Sequence, residues 1–254
     1  MKKRILKLFV VFVFLFGNIA WSVDIKELQK SAAQGNAVAQ FNLGLMYADG
    51  RGVPQDYAEA AKLYKLAAAQ GVAGAQTNLG LMYADGQGVP QDYAEALRLY
   101  RLAAAQGVAV AQFNLGFMYY NGRGVPQDYA EAAKLYRLAA AQGDAGAQFN
   151  LGLMYAHGQG VPQDYAEALR LYRLAAAQGV AGAQLNLGFM YDLGQGVPQD
   201  YAKAYMWANL GAVGGSSDKI KLRDGVAKLM TSEQLAEGQK MARDCLAKNF
   251  KGCD

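Results

Sequence analysis

From Gly35 to Gly215 the apolar residues fall into two alternating helical rhythms. The opening stretch, GNAVAQFNLGLMYADG from Gly35, places Ala39, Leu43, Met46 and Tyr47 at spacings of three and four, which predicts a helix with one apolar face. The rhythm stops at Asp49-Gly50-Arg51-Gly52, where glycine permits the left-handed turn that ends a helix. Pro54 cannot continue a helix, and Asp56 with Glu59 reads as a capping box for a second one, Tyr57 to about Ala69. In that second helix Tyr57, Ala60, Leu63, Tyr64 and Ala67 share one side, and Gly71 closes it. The cycle then restarts, giving five units of 36 residues at 35–70, 71–106, 107–142, 143–178 and 179–214. GVPQDYAEA at Gly52 returns at Gly88, Gly124 and Gly160, and at Gly196 with Lys203 in place of Glu. All five prolines lie in these copies, so the phrase is the punctuation between two helices.

Such units cannot bury their apolar faces alone, and stacking on neighbours becomes obligatory. Gly44, Gly80, Gly116, Gly152 and Gly188 fall mid-helix, where glycine costs roughly 1 kcal/mol relative to alanine. That cost is recovered where the missing side chain lets another helix approach closely. The recurring A-x-x-N-L-G-x-M-Y-x-x-G-x-G-V-P-Q-D-Y-A-E-A-x-x-L-Y-x-L-A-A-A-Q-G resembles the Sel1-like repeats, relatives of tetratricopeptide repeats. The resemblance implies an all-α fold, a right-handed α/α superhelix (solenoid) used for protein–protein interaction. It also makes Val23–Ala33, within 23–34, an N-terminal capping helix, and 215–254 a helical C-terminal cap. In the latter, Ser216–Met230 takes the place of a sixth first helix, and Thr231 with Gln234 is a capping box for a last helix to about Lys248.

The amino terminus changes the electrostatic picture. Lys2, Lys3, Arg4 and Lys7 precede the apolar LFVVFVFLFG, and Ala20 and Ser22 supply small residues, as in a secretory signal peptide over 1–22 cleaved after Ser22. The alternative is an uncleaved anchor, but the apolar run is short of the ~20 residues that span a bilayer. A periplasmic or secreted chain with no membrane span after cleavage is therefore expected. Lys+Arg then falls from 25 to 21 against 21 Asp+Glu, and the net charge of +4 vanishes. Without a basic stripe, no nucleic-acid partner is expected. In an exported chain the two cysteines, Cys245 and Cys253, point to an intramolecular disulfide; two free thiols or an intermolecular bond are the alternatives.

Candidate chemistry is sparse. His157, the lone histidine, takes a slot filled elsewhere by Asp49, Asp85, Asn121 and Leu193, which reads as an exposed polar position. No set of ligands converges on it, so no metal and no cofactor is expected. Ser216-Ser217-Asp218-Lys219 has the S-x-x-K form that opens an acyl-transfer site, yet the companion S-D-N and K-T-G elements are missing. Ser216 also aligns with Asn36 and Asp144, which suits a helix N-cap. Paired carboxylates such as Asp56 and Glu59 sit at helix starts, where negative charge suits the dipole. No catalytic residue is expected.

A second stripe on the first helices is more informative. Val38, Phe41, Leu45 and Ala48 lie opposite Ala39, Leu43 and Met46 on a helical wheel. By the resemblance to tetratricopeptide repeats this stripe faces the concave surface. Candidate binding residues along it are Phe41, Leu45, Phe113, Phe117, Tyr120, Phe149, His157 and Phe189, with the third unit the most aromatic. Beside them runs an asparagine row, Asn42, Asn78, Asn114, Asn150 and Asn186. In peptide-binding relatives such a residue bonds the ligand backbone; the alternative is a bond between units. The expectation is a non-enzymatic scaffold of the cell envelope that holds a protein or an extended peptide. The alternatives are a hydrolase acting on the cell wall or on β-lactams, and a secreted factor engaging a host protein.

Overall fold

The structure, a computed structural model, is described over residues 24–212 and 217–253. The expected leader and its cleavage point, and Ser216, lie outside the described residues. Thirteen helices and no strand occur among the described residues. Helix α1 (Ile25–Ala33) precedes five pairs: α2 (Ala37–Asp49) with α3 (Tyr57–Ala69), α4 (Ala73–Asp85) with α5 (Tyr93–Ala105), α6 (Ala109–Asn121) with α7 (Tyr129–Ala141), α8 (Ala145–His157) with α9 (Tyr165–Ala176), and α10 (Ala181–Leu193) with α11 (Tyr201–Ala212). Each second helix packs on its own first helix and on the first helix of the next pair. Two further helices, α12 (Ser217–Ala227) and α13 (Ser232–Ala247), both pack on α11.

The helix ends follow local chemistry. Gly50 closes α2 in the left-handed conformation (φ +67°), its N–H returning to the Met46 carbonyl. Asp56 caps α3 by accepting from the Glu59 N–H at 3.0 Å. The expected capping box is only half made, because the Glu59 carboxylate turns to Lys62 at 2.7 Å instead of to the cap backbone. The same diversion joins Glu95 to Arg98, Glu131 to Lys134 and Glu167 to Arg170. A cation three residues on is a stronger partner for a carboxylate than a neutral N–H. Both halves of the box do form at Thr231 and Gln234, where no such cation competes.

Tyrosine against glycine sets the spacing within a pair. Were Gly44 to carry a Cβ, it would lie 2.7 Å from the buried Tyr64 ring, and Gly80 repeats this with Tyr100 and Gly152 with Tyr172. In the fifth pair Ala208 replaces the tyrosine, and the backbone of α11 closes in on Gly188 instead. The loops stack as tightly: Gly124 (φ +69°) rests on the Tyr93 carbonyl, where a Cβ would come to 2.7 Å. Gly238 of α13 meets the Ala202 carbonyl and Tyr205 in the same way, which docks the cap on α11. Cys245, buried on α13, is bonded to Cys253.

A buried glutamine ladder ties the pairs together. Gln76 of α4 donates to the Ala68 carbonyl of α3 at 3.2 Å and accepts from Gln106, which follows α5, at 2.8 Å. Gln40, Gln112 and Gln148 make the equivalent bonds, and Gln184 repeats the first half with Ala176. Each amide satisfies a carbonyl near the end of one helix while holding the next pair, so hydrogen bonds offset the cost of burying a polar row.

Candidate binding surface

The stripe read from the sequence divides into rows with different surroundings. Phe41 lies in the seam between repeats: its ring occupies the space above Gly74 of α4, where a Cβ would come within 2.8 Å. Phe113 sits likewise on Gly146, and Phe149 on Gly182. Each also leans on a tyrosine of its own pair, with centroids 5.9, 5.7 and 6.1 Å apart for Phe41–Tyr64, Phe113–Tyr136 and Phe149–Tyr172. In the second repeat the row carries Thr77, and there the facing glycine is replaced by Val110. Bulk on one side of the seam is matched by its absence on the other. The structure therefore gives Phe41, Phe113 and Phe149 a packing task.

The asparagine row is partly engaged between repeats. Asn78 donates to the Tyr64 hydroxyl at 3.4 Å, and Asn186 is hydrogen-bonded to Tyr172. Asn150 instead donates to the Gly146 carbonyl of its own helix at 2.8 Å, leaving the buried Tyr136 hydroxyl without a partner. Asn114 is half-buried beside Tyr100, and Asn42, at the free end of the array, is exposed. Burial pushes the Tyr64 hydroxyl above the ordinary tyrosine range and those of Tyr100, Tyr136 and Tyr172 well above it, moderated at Tyr64 and Tyr172 by the asparagine.

The row one turn further along faces outward. Leu81, Phe117 and Phe189 are exposed, 37%, 37% and 45%, while Leu45 and Leu153 are half-buried. The Arg123 guanidinium stands 5.4 Å from the Phe117 centroid and 5.9 Å from that of Tyr93, a cation–π arrangement at the surface. Tyr120, expected as an anchor, is half-buried: its ring is edge-on to Tyr129 at 5.1 Å, and its hydroxyl donates to Gln159 at 3.0 Å. His157 is the exposed last residue of α8. No group of three or more His, Cys, Asp or Glu side chains that could hold a metal ion occurs among the described residues.

Two rows went unread in the sequence. One is the glutamine ladder, signalled by a polar residue, Gln40 and its counterparts, that follows an alanine of the apolar face in every unit. The other is the cation of the first four second helices, which reaches the next first helix: Arg101 donates to the Tyr119 hydroxyl at 2.8 Å, Arg137 to Tyr155 at 3.0 Å and Arg173 to Tyr191 at 2.8 Å. Lys65 lies over the Tyr83 ring at 5.5 Å.

These features define a solenoid of stacked helix pairs, and comparison with known proteins agrees. The Sel1 repeat profile matches five times, at residues 37–72, 73–108, 109–144, 145–180 and 181–215. Its phase is two residues later than that read from the glycines, so each match starts where a first helix starts. A crystal structure of c5321, described as a protective antigen present in uropathogenic Escherichia coli strains displaying an SLR fold, is 36% identical with a TM-score of 0.77. The match covers 90% of this chain and 50% of that one, so the chain spans half the length of the antigen. A Sel1 repeat protein from Oxalobacter formigenes is 35% identical, TM-score 0.74, over 86% of this chain and 89% of the other. A sel1 repeat protein from Klebsiella pneumoniae is 25% identical, TM-score 0.51, over 80% and 99%. No curated protein matches the chain. The chain belongs to the Sel1 repeat family, whose members are generally non-enzymatic scaffolds for protein–protein interaction.

Proposed function

We propose that the face lined by α2, α4, α6, α8 and α10 holds an extended segment of another protein, and that the chain does so in the cell envelope without catalysing a reaction. The observation that carries this reading is the outward row Leu81, Phe117 and Phe189, three large apolar side chains left exposed at successive or alternate repeats while their neighbours are consumed in seams. Exposed aromatic and aliphatic anchors one and two repeats apart suit a ligand that runs along the array. Arg123 over Phe117 adds a donor beside the apolar row. No helix among the described residues is long and apolar enough to cross a membrane. The envelope location is supported by the basic and apolar start of the chain and by the Cys245–Cys253 bond, which persists in oxidising compartments. Release from the cell to meet a host protein is the second reading, favoured by the description of the E. coli relative as a protective antigen.

The test compares the parent protein with the variant Leu81→Ser, Phe117→Ser, Phe189→Ser as bait in an envelope extract, circular dichroism confirming equal helicity. A partner retained by the parent and lost by the variant is expected. Equal retention by both would sink the reading. Amino-terminal sequencing of the protein recovered from the periplasm and the medium, expected to start at Val23, checks location and cleavage together.

A further inference from the structure

The outward face carries clefts at the first two repeat junctions, and the protein fills the corresponding place at the third with a side chain of its own. Between the first and second repeats Ala48, Tyr57, Asn78, Leu81, Met82 and Gln87 line a cavity of about 170 Å³. Between the second and third, their counterparts, among them Ala84, Tyr93, Phe117 and Arg123, line one of about 120 Å³. At the third junction the residue equivalent to Ala48 and Ala84 is Tyr120. Its ring packs on the cluster containing Tyr136 and Met154, edge-on to Tyr129, and its hydroxyl donates to Gln159. Tyr129, Met154 and Gln159 are the counterparts, two repeats on, of Tyr57, Met82 and Gln87. The third junction thus seats a tyrosine against the counterparts of residues that line the first cleft.

We propose that the cleft between the first two repeats is a socket for a tyrosine side chain of an extended partner segment, held edge-on to Tyr57 with its hydroxyl on Gln87. The inference rests on the reading of this face as a peptide-binding surface and names the chemistry of what it binds. Size permits it: an engineered cavity of about 150 Å³ takes benzene, so the first cleft admits a phenol ring. The hydroxyl is specified because a site built to hydrogen-bond a group discriminates strongly against the analogue that lacks it. Asp49 on the rim is paired with Arg51 at 2.6 Å, so the cleft offers no net positive charge to a phosphorylated ring. The second cleft is tighter, since Phe117 stands where the first has Leu81 and Arg123 leans over it.

Methyl-labelled purified protein titrated with N-acetyl-tyrosinamide and followed by NMR tests the proposal. Saturable shifts are expected at Met82, Leu45 and Leu81, with binding several-fold weaker for N-acetyl-phenylalaninamide. Ala48→Tyr, which supplies the occupant from within, should abolish those shifts, and Tyr120→Ala should add a new site sensed by Met154 and Leu153. The proposal is overturned by an unsaturable parent protein, by equal affinity for the two probes, by unchanged binding in folded Ala48→Tyr, or by folded Tyr120→Ala that gains no site. If the probe fails while the Leu81, Phe117, Phe189 variant still loses its partner, the socket is wrong and the peptide-binding surface stands.

Discussion

Glycine opposite an aromatic ring is the recurrent decision at the scale of single residues. Gly80 sits mid-helix because the Tyr100 ring fills the volume a Cβ would need, 2.7 Å from the nearest ring carbon. Tyr100 is itself fully buried and has no room to retreat. Gly80→Ala should therefore destabilise the protein by about 1–3 kcal/mol despite alanine's better helix propensity. Gly225 in α12 meets nothing within 4 Å, and Gly225→Ala should stabilise by up to about 1 kcal/mol. Thermal and urea unfolding followed by circular dichroism measure both, and opposite signs are expected. The mid-helix glycines were legible in the sequence as sites of close approach. The task of Phe41, Phe113 and Phe149 was not, because a helical wheel separates two faces without saying which neighbour each face meets.

At the scale of the element, the five first helices share one fold but begin in two ways. Asn36 and Asp144 cap α2 and α8 through their side chains, whereas Val72, Val108 and Val180 start α4, α6 and α10 with no side-chain cap. The backbone is the same in both cases: Val108 has φ −70° and ψ 115°, Asp144 φ −62° and ψ 114°. Val108→Asp should thus supply a hydrogen bond to the Ala111 N–H without rearrangement, and raise stability by roughly 0.5–2 kcal/mol. A fall in the unfolding midpoint would mean that Val108 contributes more by packing than the cap returns. Helix limits were readable because Gly, Pro and Asp act on their own backbone. The glutamine ladder was not, because a polar residue in an apolar helix becomes intelligible only when the carbonyl it satisfies, on another helix, is in place.

For the whole molecule, stability is distributed along the array. Buried clusters follow one another from the Ala39–Leu43 end to the larger one around Tyr191, Tyr205 and Trp207, where α11, α13 and the Cys245–Cys253 bond close the stack. Tyr64, Tyr100, Tyr136 and Tyr172 recur as the large side chains of successive pairs, their ionisation raised by burial. In the unfolded chain they titrate near pH 10. The sign follows: folded tyrosines keep their protons where unfolded ones lose them, so the contribution is complete below about pH 10 and is lost as pH rises beyond it. Each such residue should steepen the loss by about 1.4 kcal/mol per pH unit. Absorbance at 295 nm and helicity, followed together from pH 8 to 13, should show these four ionising only as the helices melt. Their titration in a fully helical protein would contradict it.

The period, the two helices of each unit and the turns between them follow from the order of residues alone, because these depend on interactions within a few residues of chain. The need for the units to stack follows in the same way, since each carries more apolar surface than it can bury alone. Which members of the second stripe pack and which remain outside is settled by the stacked repeats. Phe113 and Phe117 are both aromatic, four residues apart on one helix, yet one meets Gly146 across a seam and the other meets solvent and Arg123. The same holds for Tyr120 and Ala48, equivalent in position and opposite in effect, one filling a cleft and the other leaving it open. What surrounds a side chain is set by residues a whole repeat away, and that information exists only once the repeats are stacked.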